Sequence, residues 1–193
     1  MKTRNIIMIV VVSLIFLVAG GLSIYAAVMH ETTLGSEEHF SHNENGFVDS
    51  SLRWADTPIP VSCREIREGG CSELRDAVAT WNRQIGHDLF EMRDDAVIRV
   101  TVGVAYDAQE WDSPGGQFRL HRQGSTFTSC DIETSNTGQT AVLSRVLMHE
   151  LGHCMGLEHD GWSGSVMFPV QSPNAYPHVS DHDQTLIRNE YFR

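Results

Sequence analysis

A chain of 193 residues is long enough to bury one proper core and too short for two full domains. Its hydrophobic content of 41% is that of a globular protein, and its formal net charge of -11 excludes a nucleic-acid binder, because phosphate recognition needs a basic footprint. One folded unit with a leader is the organisation these figures leave.

The chain opens with Lys2 and Arg4, after which Ile6 to Val28 carries no charged residue. About 23 residues rising about 1.5 Å each would cross a hydrocarbon core of roughly 30 Å. Residues 1–29 are therefore expected to be a signal peptide or a signal-anchor transmembrane segment. The basic flank precedes the run and Glu31, Glu37 and Glu38 follow it, so the positive-inside rule leaves everything downstream outside the cytoplasm. The length of the run and the poor small-x-small site at Ile24-Tyr25-Ala26 favour an uncleaved anchor, with the membrane as a partner; a cleaved leader would give a secreted protein. Residues 30–52 are polar and acidic, with no Lys or Arg and no sustained apolar period, which suits a flexible spacer. Its His30, His39 and His42 read as solvated, since a mobile segment loses the most entropy in gathering ligands around a metal. No internal repeat is visible.

From residue 53 onward strand and helix signals alternate. Trp54 to Val61, Val97 to Val104, Phe118 to Arg122 and Thr126 to Glu133 are rich in β-branched and aromatic residues and bounded by Gly, Pro or Asp, which predicts strands. Leu74, Val78, Trp81 and Ile85 recur at helical spacing and predict a core-facing helix. A second helix is predicted over Thr140 to Cys154. A third runs from Ser180 to Tyr191, where Ser180 and Asp183 have capping-box-like spacing and Leu186, Ile187 and Tyr191 form the buried side. The order predicts an α+β fold with most strands before the second helix.

That second helix carries the chemistry. In His149-Glu150-Leu151-Gly152-His153 two imidazoles four residues apart lie one above the other on one helical face, where they can share a metal. Catalytic zinc takes three protein ligands and an open position. His159 completes the set if the chain turns back after the helix, and Gly156, free of a Cβ, can adopt the positive φ that such a turn needs. Glu150 is then placed to reach a water in the open position. A bare His-x-x-x-His pair arises by chance in many helices, but the pattern through His159 fixes five positions, three of them histidine, which composition alone seldom produces. Two other classes compete: a catalytically silent metal-binding or adhesion module, and a metal-storage protein using the 10 histidines. The intact Glu150 argues against the first, and the scatter of most histidines outside the cluster argues against the second.

The run from His149 to His159 resembles the extended zinc motif of the metzincin metallopeptidases, and Met167 lies where their Met-turn is expected. Ser165-Val166-Met167-Phe168-Pro169, Trp81-Asn82 and the final helix resemble the matrixins, the matrix-metalloprotease-like peptidases that include small bacterial members. The resemblance implies, for residues 53–193, a zincin-like α+β fold: a small twisted mixed sheet, an active-site helix, a Met-turn and a C-terminal helix. It implies a zinc-dependent endopeptidase acting on protein or peptide substrates. One catalytic zinc would be held by His149, His153 and His159, with Glu150 as general base toward the zinc-bound water. Met167 would form an apolar floor, and Asp160 and Asp183 would support the ligands and the Met-turn by hydrogen bonds.

Several positions depart from the matrixin pattern. Trp111 to Gly124 offers only Asp112 and His121, so no structural zinc is expected. No Cys precedes Cys63, so latency by a thiolate on zinc is not expected. His182-Asp183 replaces a pair of aspartates, keeping the one expected to bond the Met-turn and losing the one that anchors a newly cut N-terminus. Pro169 stands where astacin-like relatives place a Tyr ligand. An extended substrate would lie along the strand containing Phe118, and Arg145, four residues before the first zinc histidine, would set the depth of the pocket next to the cut; a solvent-facing helix arginine is the alternative. Four cysteines outside the cytoplasm should be oxidised. Of the three possible pairings, Cys63 with Cys71 around a short Gly69-Gly70 loop, and Cys130 with Cys154 between a strand and the active-site helix, is favoured.

Overall fold

The computed structural model of the chain describes residues 33–35, 51–66, 70–105, 115–135, 140–169 and 178–192. The chain divides into two compact units, Met1–Thr33 and Leu34–Arg193, with the boundary inside the three-residue strand Thr33–Gly35. The expected leader over 1–29 and nearly all of the expected spacer lie outside the described residues. Among the described residues no helix is long and apolar enough to cross a membrane.

The strand β1 runs over Ile59–Glu65, just after Pro58, rather than starting at Trp54 as the β-rich composition suggests. Trp54 is instead a buried anchor: its ring lies 5.8 Å from that of Phe127 and its indole N–H donates to the Cys154 carbonyl at 2.8 Å. Leu52 is also buried in the core, so the folded part extends slightly into the segment expected to be spacer.

After β1 come α1 (Gly70–Ile85), β2 (Phe90–Met92), β3 (Ile98–Val104), β4 (Gly116–Gln123), β5 (Thr126–Ser135), α2 (Thr140–Cys154) and α3 (Asp181–Tyr191). Within the second unit the strand order is β4-β5-β3-β1-β2, with Leu34 and Gly35, the end of the short strand, on the outer edge of β4. β1 pairs parallel with β2 and β3, β3 pairs parallel with β5, and β4 alone is antiparallel, forming a hairpin with β5. The short β2 escapes a reading of composition because a side chain in α1 creates it. Asn82 Oδ1 accepts from the N–H groups of Leu89 at 3.1 Å and Phe90 at 3.0 Å, and its Nδ2 donates to the Phe90 carbonyl at 2.9 Å.

Alternation along the strands collects Ile59, Val61, Ile98, Val100, Val102, Leu120, Cys130 and Ile132 into the core, and the helices cover them. Leu74, Ala77, Val78, Trp81 and Ile85 form the buried stripe of α1. The Trp81 indole N–H donates to the Met148 carbonyl of α2 at 3.0 Å, so the two helices are joined by a buried hydrogen bond as well as by packing. α3 begins as its spacing predicts: Ser180 is the N-cap and accepts from the Asp183 N–H at 3.0 Å. Farther along α3, the Arg188 guanidinium donates to the carbonyls of Gln84 and Ile85, each at 2.7 Å, placing a cation on the C-terminal end of α1 where the helix dipole favours it. α2 packs on β4 and β5, and every residue from Arg145 to Glu158 is buried. A helix buried on all sides is held by its surroundings rather than by its own propensity.

Candidate metal centre

α2 ends in a way that follows from Gly156. Its φ of 87° is the left-handed conformation that lacks a steric penalty only in glycine. The Leu157 N–H reaches back to the Gly152 carbonyl at 3.1 Å and the Gly156 N–H to the His153 carbonyl at 2.9 Å, the two bonds of a Schellman turn. The chain reverses there and brings His159 back over α2.

The result is a convergence of three ring nitrogens. Nε2 of His149 and His153 are 3.0 Å apart, those of His149 and His159 3.1 Å, and those of His153 and His159 3.2 Å. A tetrahedral ion with metal–nitrogen bonds of about 2.0 to 2.1 Å needs nitrogens roughly 3.3 Å apart, so the three can hold one zinc with small adjustments. The rings are aimed by their other nitrogens. His149 Nδ1 lies 2.7 Å from the Val166 carbonyl and His153 Nδ1 lies 2.8 Å from the Leu157 carbonyl. A carbonyl only accepts, so both Nδ1 atoms carry the proton and both Nε2 lone pairs are free to face the centre. The Phe118 ring stacks on His153 with centroids 4.6 Å apart and planes within 16°. Burial lowers the His149 pKa to about 4 and that of His153 well below the ordinary value, which keeps both imidazoles neutral, the form a metal requires.

Glu150 is 6% exposed, and burial pushes its carboxyl up to about 8. It packs against the backbone of β4: a Cβ added to Gly116 would stand 2.8 Å from Glu150 Oε1. A cation at the histidines would draw the pKa back down, leaving a carboxylate that can take and return a proton near neutrality.

Beneath the histidines Met167 is fully buried, and its sulfur occupies the space that a side chain at Gly152 would need. The glycine inside the motif is therefore a matter of close approach between α2 and the Met-turn. That turn is fastened from several sides. Met167 N–H donates to Ser165 Oγ at 2.8 Å, Ser165 Oγ donates to Asp183 Oδ2 at 3.1 Å, and Asp160 N–H donates to the Met167 carbonyl at 3.0 Å. Burial raises the Asp183 pKa while the Ser180 and Ser165 hydroxyls pull it back. The Asp160 carboxylate accepts from the Trp162 N–H at 3.0 Å, shaping the descent from His159.

Arg145 is 1% exposed, which corrects the solvent-facing alternative. A helix buried on all sides leaves it no route to water, and its guanidinium donates to the Ser165 carbonyl at 2.9 Å. Pro169 is exposed just past the Met-turn. Of the two residues weighed for a structural metal, Asp112 lies outside the described residues and His121 sits on β4, 3.8 Å from Asp131. The cysteines pair as favoured, Cys63 with Cys71 and Cys130 with Cys154. Reading the sequence missed Ser165 and the carbonyls of Val166 and Leu157. The serine stands two residues before Met167, a spacing that signals a self-bonded turn, whereas an acceptor on the backbone has no residue type to betray it.

The matrixin family profile matches residues 24–192. No curated protein sequence matches the chain. With a zincin-like α+β fold, a helix presenting two histidines, a third returned by a glycine turn and a methionine beneath them, the chain belongs to the matrixins, zinc-dependent endopeptidases of the metzincin type.

Proposed function

We propose that His149, His153 and His159 hold a single zinc and that Glu150 is the general base of an extracytoplasmic endopeptidase. The observation that carries this reading is the triangle of Nε2 atoms with edges of 3.0 to 3.2 Å, two of whose rings have their Nδ1 protons committed elsewhere. When bound, zinc supplies a Lewis acid that polarises the scissile carbonyl and acidifies water. Glu150 takes a proton from the attacking water as the new C–O bond forms, then returns it to the amide nitrogen as the C–N bond breaks, so one carboxylate serves both transfers. Its buried setting keeps bulk water from competing for that proton.

The substrate is an extended peptide paired along Phe118 to Arg122 of β4, so recognition falls mainly on backbone. Phe118 steadies His153 from that side, Pro169 borders the Met-turn, and Arg145 closes the pocket next to the cut. Three features support action outside the cytoplasm: two disulfides, a charge-free run from Ile6 to Val28 and the basic residues before it. The leader over 1–29 would anchor the domain 53–193 through an acidic spacer.

Three outcomes are expected. Glu150→Gln should keep its zinc and lose about 100-fold or more in turnover; near-normal turnover with zinc content verified would remove Glu150 from the mechanism. Arg145→Leu should raise the ratio of kcat/KM for long over short apolar residues just after the cut, a ratio that does not depend on how much of the variant is intact. An unchanged ratio would leave Arg145 only its bond to Ser165. Protease added to intact cells producing the full chain should remove the catalytic domain, whereas protection until lysis would contradict the outside location.

A further inference from the structure

The two ends of the ligand-bearing stretch are anchored differently. At His149 the acceptor, the Val166 carbonyl, belongs to the Met-turn, a separate part of the chain held by Arg145 and by Asp183 through Ser165. At His153 the acceptor is the Leu157 carbonyl, four residues ahead in the same turn. If the end of α2 shifts, ligand and acceptor move together, so this bond sets the angle of the ring but not its place. The helix itself spaces His153 from His149, but where the end of α2 and the turn to His159 lie must be set from outside the turn.

The strongest outside anchor is covalent. Cys154, the last residue of α2 and the neighbour of His153, is bonded to Cys130 of β5. Both are fully buried. Cys130 lies inside the sheet, paired in register with Ile98 of β3 on one side and Leu120 of β4 on the other. The Trp54 indole on the Cys154 carbonyl at 2.8 Å and the Tyr191 hydroxyl on the Met155 carbonyl at 3.5 Å are weaker holds on the same point. From Cys154 the chain needs only the glycine turn to reach His159, so the position of Cys154 governs where His159 starts back and where the end of α2 beside His153 is held.

We infer that the Cys130–Cys154 disulfide is a positioning element of the metal centre: it pins the end of α2 to the sheet and so registers His159 against the two helical histidines, and breaking it loosens the hold on zinc. The inference rests on the reading of the three histidines as zinc ligands. The other disulfide supplies an internal control, since Cys63–Cys71 joins β1 to the start of α1 and belongs to neither α2 nor its turn.

The test compares full-length wild type with the pairs Cys130→Ala/Cys154→Ala and Cys63→Ala/Cys71→Ala, measuring zinc affinity by competition with a chromophoric chelator and foldedness by near-ultraviolet circular dichroism. Changes to groups that orient metal ligands typically cost about 10- to 100-fold in affinity, and that loss is expected for the first pair, with the second staying close to wild type. If the first pair does not fold, the Cys63→Ala/Cys71→Ala protein, folded and then reduced with a phosphine so that only Cys130–Cys154 opens, its new thiols counted by alkylation, gives the same readout. Wild-type zinc affinity in the folded Cys130→Ala/Cys154→Ala protein, or in the reduced protein with Cys130 and Cys154 both free, would overturn the inference, as would equal losses in both pairs, which would signify general destabilisation. A wild type that binds no zinc would overturn the ligand reading, and this inference with it.

Discussion

Two buried imidazoles have to be satisfied on one nitrogen and left free on the other. Burial makes an unpaired ring N–H costly, about 1 to 3 kcal/mol, so each histidine takes a fixed carbonyl, Val166 for His149 and Leu157 for His153. Once those bonds are made, the tautomer, the ring angle and the aim of the free lone pair all follow. The Met-turn is needed because it carries the first carbonyl, and the turn at Gly156 because it presents the second. Gly152 against Met167 and Arg145 on Ser165 hold α2 close enough to the Met-turn for the first bond to form.

The same burial sets the electrostatics. It lowers the pKa values of His149 and His153 and raises that of Glu150, by one cause acting on opposite charge types. A pocket that disfavours every isolated charge favours a dication with neutral ligands and a carboxylate beside it, because each then has a partner. Asp183 extends the logic away from the centre. Its carboxylate is buried but receives the hydroxyls of Ser165 and Ser180, so the cap of α3 and the brace of the Met-turn are one group.

What was legible in the sequence was whatever rests on spacing. The boundaries of α2, the stripe of α1 and the capping residue of α3 stand where the periodicity puts them, and of the three possible cysteine pairings the one favoured from a short loop and a strand–helix approach is the one formed. Three features were not legible, each for its own reason. β2 exists because Asn82 reaches across seven or eight residues to bond it, a tertiary effect with no local composition signal. β1 starts late because Trp54, read as a strand residue, is a core anchor bonded to the Cys154 carbonyl instead. Arg145 was equally compatible with water and core, and only the packing around α2 decides that its charge is inside.

The central claim is that one zinc on three histidines makes this chain a peptidase. Full-length protein stripped of metal should cleave no peptide, and zinc added stepwise should restore cleavage in proportion, with binding and activity both breaking at one equivalent. Cleavage that survives stripping, or zinc that binds at one equivalent and restores none, would contradict the account.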